Sequence, residues 1–120
     1  MLGFSLYPNH LKDGSDTTLE AFCDMVACTV DLIGTEQIGI GSDLVQGQPS
    51  WVINWMRSGK WTKQTQNELS WPVPTNWFKD NCDFPRIAGA LLNKGFAKEE
   101  VEKIMGGNWL RFIEAAFSPA

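Results

Sequence analysis

The stretch Gln37–Gly47, QIGIGSDLVQG, decides the fold class, because a short apolar run ends almost directly on an aspartate. The run QIGIG is too short for a helix and too apolar for a surface turn. It is typical of a buried parallel strand, in which the two glycines permit close packing. Asp43 then follows the strand, and a charge beside a buried strand costs free energy unless a metal, a cation or hydrogen-bond donors meet it.

A strand, a helix and a second strand are predicted for residues 1–43. The run Leu2–Leu6 has the length of a strand. Thr17 and Glu20 fit a capping box at the start of a helix, and Gly34 fits its C-cap. The predicted core stripe of this helix is Leu19, Phe22, Cys23, Val26, Val30 and Ile33. A βαβ unit implies an α/β fold with a parallel sheet, and two strands alone cannot cover such a sheet.

Residues 44–82 are predicted to form a long ordered loop rich in tryptophan. A short helix runs within it from Ser50, its N-cap, to Arg57. Five of the six tryptophans lie in this loop: Trp51, Trp55, Trp61, Trp71 and Trp77. Two interpretations stay open, namely a packed surface layer or subunit contact, and the wall of a substrate pocket. Loops of this length tend to be functional.

Residues 83–120 are predicted to form three helices. Asp83 caps the first, which ends at Gly95; the second spans Ala97–Met105; Asn108 caps the third. The break before the third helix is predicted at Gly106-Gly107, and the core-facing residues are Ile87, Leu91 and Leu92, then Val101 and Ile104, then Leu110, Ile113 and Phe117.

Composition and charge exclude several classes of function. The chain is 43% hydrophobic and 20% charged, as is ordinary for a globular domain. Its net charge is −4 and its ten Lys and Arg are scattered, which argues against a nucleic-acid partner. No apolar run approaches the ~20 residues of a membrane segment. Cys23, Cys28 and Cys82 are interpreted as small core residues in a reducing compartment, which, without a signal peptide, favours the cytoplasm.

Two polar residues are candidates for a site. His10 follows the first predicted strand and Asp43 follows the second, and the carboxyl ends of parallel strands lie at one edge of a sheet, where ligands bind. The bland alternatives are a surface histidine and a turn aspartate. His10 is the single histidine, and a zinc site needs three or more protein ligands. No metal ligand is therefore predicted in this chain.

Three segments together resemble a known family. They are VDLIGTEQ (30–37), IGIGSDL (38–44) and GFAKEEVEKIMGGNWLRFIEA (95–115). They are similar to the C-terminal third of the membrane (renal-type) dipeptidases, metallopeptidases of the amidohydrolase superfamily, and the resemblance extends over essentially the whole chain. It implies the last two strands and following helices of a metal-dependent (β/α)8 TIM barrel, in which two zinc ions and a metal-bound hydroxide hydrolyse dipeptides.

The resemblance implies roles for both candidates and also reveals departures. Asp43 is similar to the acid/base aspartate after the last barrel strand, and His10 falls near a substrate-facing position. The family's His-x-Asp, bridging Glu and two further His are absent, as is its substrate-clamping Arg. Val45 stands where many relatives have the second Asp of GSDFDG. This chain alone is therefore expected to bind no zinc tightly and to be inactive.

The resemblance also leads to an expectation about partners. Met1 coincides with an internal strand of the family, so the chain is expected to be a C-terminal piece. Two strands cannot close a barrel, and their edges are open. A homo-oligomer, or docking to the missing N-terminal part, is expected. The alternatives to a dipeptidase are a non-catalytic oligomerisation or docking piece in which Asp43 is a relic, and a small-ligand binding protein.

Overall fold

The computed structural model describes residues 1–58 and 70–118. Within them, β1 (Leu2–Ser5) and β2 (Ile38–Gly41) pair in parallel, and α1 (Leu19–Ile33) makes the crossover between them. The parallel pairing predicted from the strand, helix, strand pattern is present. Trp61 of the predicted loop lies outside the described residues.

Helices form most of the remaining described chain. Their bounds are α2 Ser50–Ser58, α3 Phe84–Lys94, α4 Lys98–Glu102 and α5 Asn108–Phe117, and the segment Lys103–Gly107, which is kinked at Gly106, joins α4 to α5. Short 3-10 turns lie at Pro8–His10, Gly14–Asp16, Thr35–Gln37 and Asn81–Asp83. The helix predicted within the tryptophan-rich segment is present, with Ser50 as its first residue.

One face of the strand pair is covered by the indole of Trp109 from α5. A Cβ on Gly39 would lie 2.5 Å from the indole Nε1, and a Cβ on Gly3 would lie 2.9 Å from Cζ2. The indole N–H donates a hydrogen bond to the carbonyl of Ile40 at 2.9 Å. The strand glycines therefore permit the close packing that the sequence predicts, because any side chain there would displace the tryptophan.

The main core lies among the strands, α1 and α3. Phe22 and Val26 of α1, Ile38 of β2, and Ile87 and Leu91 of α3 are all fully buried. They belong to one contiguous apolar cluster. Burial of side chains of this size stabilises a fold by about 1.5–3 kcal/mol each, so this cluster is the main source of stability for the strand pair.

The start of α1 differs from the prediction. Thr18, not Thr17, is the N-cap, and its Oγ1 accepts a hydrogen bond from the Ala21 N–H at 3.1 Å. Thr17 is buried instead, and its carbonyl accepts a 2.7 Å hydrogen bond from the indole of Trp77. The capping box of Thr17 and Glu20 is therefore wrong, because the Thr17 Oγ1 accepts a 3.2 Å hydrogen bond from the Asp13 N–H instead of a helix N–H, and Trp77 binds the Thr17 carbonyl. Gly34 does end the helix, with φ 79°.

The junction of α4 and α5 differs from the prediction only at Asn108. The break predicted at Gly106-Gly107 is present, because Gly106 has a non-helical backbone with φ 172° and ψ −28°. Asn108 is not a cap: its side chain is fully buried, and its Nδ2 donates hydrogen bonds to the carbonyls of Thr35 at 2.7 Å and Ile38 at 2.8 Å. This amide ties the start of α5 to the start of β2.

A second tie between α5 and the strand is ionic. Arg111 pairs with the carboxylate of Glu36 and donates from Nη2 to its carbonyl at 2.6 Å. Lys103 pairs with the same carboxylate. The hydrogen bonds from Lys103 and Arg111 hold the pKa of Glu36 below its ordinary value. With Arg111 and Asn108 turned toward β2, the predicted core stripe of α5 faces outward.

Several predicted core positions are exposed. Leu110, Ile113 and Phe117 of α5 are 59%, 48% and 82% exposed, and Ile33 and Leu92 are 45% and 46% exposed. Cys23 is buried, but Cys28 and Cys82 are exposed, so the description of all three cysteines as core residues is wrong. Asp83 occupies the N-cap position of α3 without capping it, since its carboxylate accepts from the Lys79 and Asp80 N–H groups.

Candidate functional site

The carboxyl ends of β1 and β2 lie side by side, because Ser5 is opposite Gly41 in the register. The chain then continues to Tyr7 and His10 on one side and to Ser42 and Asp43 on the other. This edge of a parallel sheet is where strand-end side chains converge on a ligand. The structure therefore places His10 and Asp43 at the edge that the sequence predicts.

Asp43 has the left-handed conformation, with φ 50°. Aspartate and asparagine adopt this conformation more readily than other residues that carry a Cβ. Its side chain is exposed at the pocket rather than buried under the strand. The argument that a buried charge demands a partner is therefore wrong for Asp43, because water reaches its carboxylate. What remains is an accessible carboxylate at a conformationally constrained position.

His10 is held by two neighbours on the same edge. Its Nδ1 lies 2.9 Å from Ser5 Oγ, and its ring centroid lies 5.1 Å from that of Tyr7. Ser5 Oγ also accepts a hydrogen bond from the Tyr7 N–H at 3.1 Å. The Pro8–His10 turn thus fixes the imidazole close to the strand end, and with Nδ1 engaged, Nε2 is the nitrogen that remains for a ligand.

Two pockets meet at Asp43. The inner pocket, about 200 Å³ in volume, is lined by Tyr7, Ser42, Asp43, Trp71 and Lys79 among other residues. The outer pocket, about 310 Å³ in volume, is lined by Tyr7, His10, Asp43, Val45, Ile53, Met56, Arg57 and Trp71. Asp43 and Trp71 belong to both, so the two pockets form one continuous candidate site.

The sequence left two interpretations of the tryptophans open, a packed layer and the wall of a substrate pocket, and each applies to a different tryptophan. Trp77 is buried, and its ring centroid lies 5.3 Å from that of Phe22, so it is a core residue. Trp71 lines both pockets, and its indole N–H donates to the Gln48 carbonyl at 3.1 Å. Trp51 and Trp55 of α2 are exposed. The pocket-wall interpretation therefore applies to Trp71, and the packing interpretation to Trp77.

Tyr7 and Arg57 are among the pocket-lining residues that the sequence analysis did not identify as site residues. Tyr7 directly precedes the Pro8–His10 turn, and proximity to the predicted strand end was a signal that could have identified it. Arg57 is the basic residue in the last turn of α2. Nothing in the sequence shows that α2 brings Arg57 to the outer pocket, because that position depends on how the segment folds over the strand ends.

The described residues do not fit a zinc centre. In residues 1–58 and 70–118, no group of three or more His, Cys, Asp or Glu is close enough to hold a metal ion. Protein zinc sites use at least three such ligands. His10 and Asp43 share a pocket but supply only two candidate groups. In the same two ranges, no helix combines the length and apolar character needed to cross a membrane.

Comparisons with known proteins found a curated dipeptidase that is similar in sequence to this chain. No family model matches the chain. The chain is 29% identical over 102 residues to dipeptidase tcpJ of Claviceps purpurea (strain 20.1), a match that covers 85% of this chain and 18% of that protein. The chain is dipeptidase-like. The resemblance predicted from the three sequence segments is thereby confirmed.

A solved structure agrees with the fold of this dipeptidase-like chain. The chain superimposes on an amidohydrolase from Pseudomonas aeruginosa with a TM-score of 0.79 and 26% sequence identity. The match covers 93% of this chain and 34% of that protein. The dipeptidase-like chain thus spans about a third of the solved relative and less than a fifth of the curated one. This coverage is consistent with a mixed α/β unit that forms part of a larger fold.

Proposed function

We propose that this chain forms the last two strands and following helices of a (β/α)8 barrel in a zinc-dependent dipeptidase, with Asp43 as its acid/base. The observation that carries the proposal is the position of Asp43, which directly follows β2 in a left-handed conformation and lines both pockets at the strand ends. The likeness to a dipeptidase and to an amidohydrolase supports the same reaction class.

In this proposal Asp43 moves protons. Hydrolysis of a peptide bond requires removal of a proton from the attacking water and delivery of a proton to the leaving amine, and one carboxylate can do both in turn. The open access to Asp43 lets a substrate approach its oxygens directly. His10 orients substrate through Nε2, since Ser5 holds Nδ1. The two zinc ions of the complete enzyme require ligands other than the described residues, because these form no suitable group.

A chimeric enzyme tests the proposed function. The segment of the Claviceps dipeptidase that matches this chain is replaced by this chain, and dipeptide hydrolysis is measured with zinc, after chelation and after zinc is restored. We expect zinc-dependent hydrolysis of dipeptides, because the host supplies the ligands and this chain supplies the strand-end acid/base. A chimera that is folded by circular dichroism and loaded with zinc, yet hydrolyses no dipeptide that the host hydrolyses, would overturn the proposal.

The proposed partner of this chain is the N-terminal part of the barrel. Where that part is absent, we propose that a second copy of the chain covers the same surfaces. Leu110, Ile113 and Phe117 recur at i, i+3 and i+7, and their exposure leaves one apolar face of α5 uncovered. Each of the two strands also has an unpaired edge among the described residues. Apolar faces and open edges of this kind associate with other chains. The same features favour the docking-piece alternative, in which Asp43 is a relic.

We expect the purified chain to self-associate, as measured by size-exclusion chromatography with light scattering. Leu110→Asp places a charge on the uncovered face of α5 and should shift the population toward the monomer. Leu32→Asp is the matched control, because Leu32 is 82% exposed on α1, and it should leave the association unchanged. A wild-type chain that stays monomeric at every concentration would contradict the proposed interface.

A further inference from the structure

We propose that Ser5 is a positioning residue for His10, because its hydroxyl donates to Nδ1 and thereby keeps the imidazole proton on Nε2. His10 then presents an N–H donor to the outer pocket, and the ligand group that it binds is a hydrogen-bond acceptor, the carbonyl oxygen of a peptide. The choice of a peptide as the ligand rests on the proposed function. The role of Ser5 rests instead on hydrogen bonds within this chain.

The first support is the hydrogen-bonding capacity of the Ser5 hydroxyl. A serine hydroxyl has one O–H donor and two acceptor lone pairs. Its oxygen accepts the Tyr7 N–H at 3.1 Å and lies 2.9 Å from His10 Nδ1. If Nδ1 carried the proton, this oxygen would accept twice and its own O–H would need a third partner. Residues 1–58 and 70–118 supply no such partner. Donation from the O–H to Nδ1 satisfies both groups and is therefore favoured.

The second support is the fixed geometry of the turn that carries His10. Pro8 begins this turn and is buried, and the His10 N–H donates to the Tyr7 carbonyl at 2.9 Å. The Tyr7 ring also lies against the imidazole, with 5.1 Å between the ring centroids and 57° between the ring planes. The backbone and the neighbouring ring thus hold Nδ1 at Ser5, and Nε2 is the nitrogen directed away from Ser5.

The third support is the accessibility of Nε2. His10 is exposed and lines the outer pocket of about 310 Å³ together with Asp43. Among the described residues, neither Asp43 nor any other carboxylate forms an ion pair with the imidazole. A neutral imidazole whose Nδ1 is the acceptor has its N–H donor at Nε2. The pocket therefore combines a donor at His10 with an acceptor at Asp43, and a peptide group carries both complements, a carbonyl oxygen and an N–H.

Nuclear magnetic resonance of the 120-residue chain tests the role of Ser5. His10 is the single histidine of the chain, so selective ¹⁵N-histidine labelling reports its imidazole without overlap. Long-range ¹H–¹⁵N spectra are recorded at a pH at which the ring shifts no longer change, where the ring is neutral. Protonated and unprotonated ring nitrogens differ widely in ¹⁵N shift, so the spectra give the ratio of the two tautomers. We expect the Nε2–H tautomer to predominate in the unmodified chain.

Variants then assign this preference to Ser5. Ser5→Ala removes the donor and should lower the ratio of Nε2–H to Nδ1–H about fivefold, the effect of one net hydrogen bond. Ser5→Thr keeps the hydroxyl and suits a strand, so it should retain the ratio. Ser5→Cys donates only weakly and should give an intermediate ratio. Circular dichroism of each variant verifies that the fold is retained.

Ser42→Ala is the matched control. Ser42 follows β2 as Ser5 ends β1, and its Oγ likewise accepts an N–H from two residues further on, that of Leu44 at 3.3 Å. The same substitution there removes a hydroxyl from the neighbouring strand end without touching the imidazole. It should leave the ratio of the two tautomers unchanged.

Kinetics of the chimeric enzyme test the choice of ligand group. Ser5→Ala should raise KM for a dipeptide about fivefold with little change in kcat, because the hydrogen bond from His10 is made by the bound substrate and the transition state alike. In a chimera that already carries His10→Ala, the same change at Ser5 should have no further effect on KM, because Ser5 acts through His10.

A predominant Nδ1–H tautomer in the unmodified chain, or a ratio that Ser5→Ala leaves unchanged, would overturn the role of Ser5. An equal rise in KM with and without the imidazole would overturn it too, because Ser5 would then not act through His10. An unchanged KM in Ser5→Ala would overturn the choice of ligand group. An inactive chimera would overturn the proposed function, while the tautomer ratio would still decide the role of Ser5. The two failures are thus distinguishable.

Discussion

Asn108→Asp is expected to destabilise the chain by about 3–5 kcal/mol at pH 7, because it leaves an uncompensated charge in a buried position. The wild-type amide donates to the carbonyls of Thr35 and Ile38. A carboxylate of the same shape cannot donate to either carbonyl, and its own oxygens face theirs. The two hydrogen bonds that connect α5 to the start of β2 would be replaced by repulsion between the carboxylate and the two carbonyl oxygens.

Urea denaturation followed by circular dichroism measures this loss. The destabilisation should be smaller at pH 4 than at pH 7, because a protonated carboxyl can donate one hydrogen bond and carries no charge. Asn93→Asp is the matched control, since Asn93 is exposed on α3, and such surface changes usually alter the free energy of unfolding by no more than about 0.5 kcal/mol. Equal stability of the two variants at pH 7 would show that Asn108 is not the tie between α5 and β2.

The elements that sequence reasoning identified are those whose signals are local. The glycine-bearing run at β2, the long apolar stripe of α1 and the stop at Gly95 are each contained in a few neighbouring residues. Gly95 has the left-handed φ of 108° that ends a helix, and its N–H bonds back to the last turn of α3. The helix within the tryptophan-rich segment was identified for the same reason.

The elements that were missed depend on residues far apart in the chain. An apolar stripe on α5 predicts a core face, but Asn108, Trp109 and Arg111 bind the strand end and turn that stripe outward. Thr17 has the pattern of a cap, but Trp77 engages its carbonyl. Neither interaction follows from local spacing, because the partners lie about 60 to 75 residues away.

The candidate site shows the same division. Because the carboxyl ends of parallel strands lie at one edge of a sheet, the sequence alone predicts that His10 and Asp43 lie close together. In the structure both residues line the outer pocket. Their roles in catalysis and binding stay predictions. Arg57 and Trp71 join them only because the segment after β2 folds over the strand ends, and that path is set by contacts such as the Trp71 to Gln48 hydrogen bond.

Asp43→Asn in the chimeric enzyme is expected to lower kcat for dipeptide hydrolysis by at least about 100-fold, the usual contribution of general acid/base catalysis. Asparagine also tolerates the left-handed φ of Asp43, so the turn after β2 should be retained. The amide keeps the shape of the carboxylate but cannot accept the proton of the attacking water. The loss should therefore fall on kcat more than on KM.

The measurement that tests the central claim most directly is kcat of the Asp43→Asn chimera beside that of the Asp31→Asn chimera. Asp31 is exposed on α1, so its change controls for the loss of one surface carboxylate. The account predicts that Asp43→Asn nearly abolishes hydrolysis while Asp31→Asn hydrolyses dipeptides at the rate of the unmodified chimera. Equal kcat values for the two variants, both folded and loaded with zinc, would contradict the assignment of Asp43 as the acid/base of a dipeptidase.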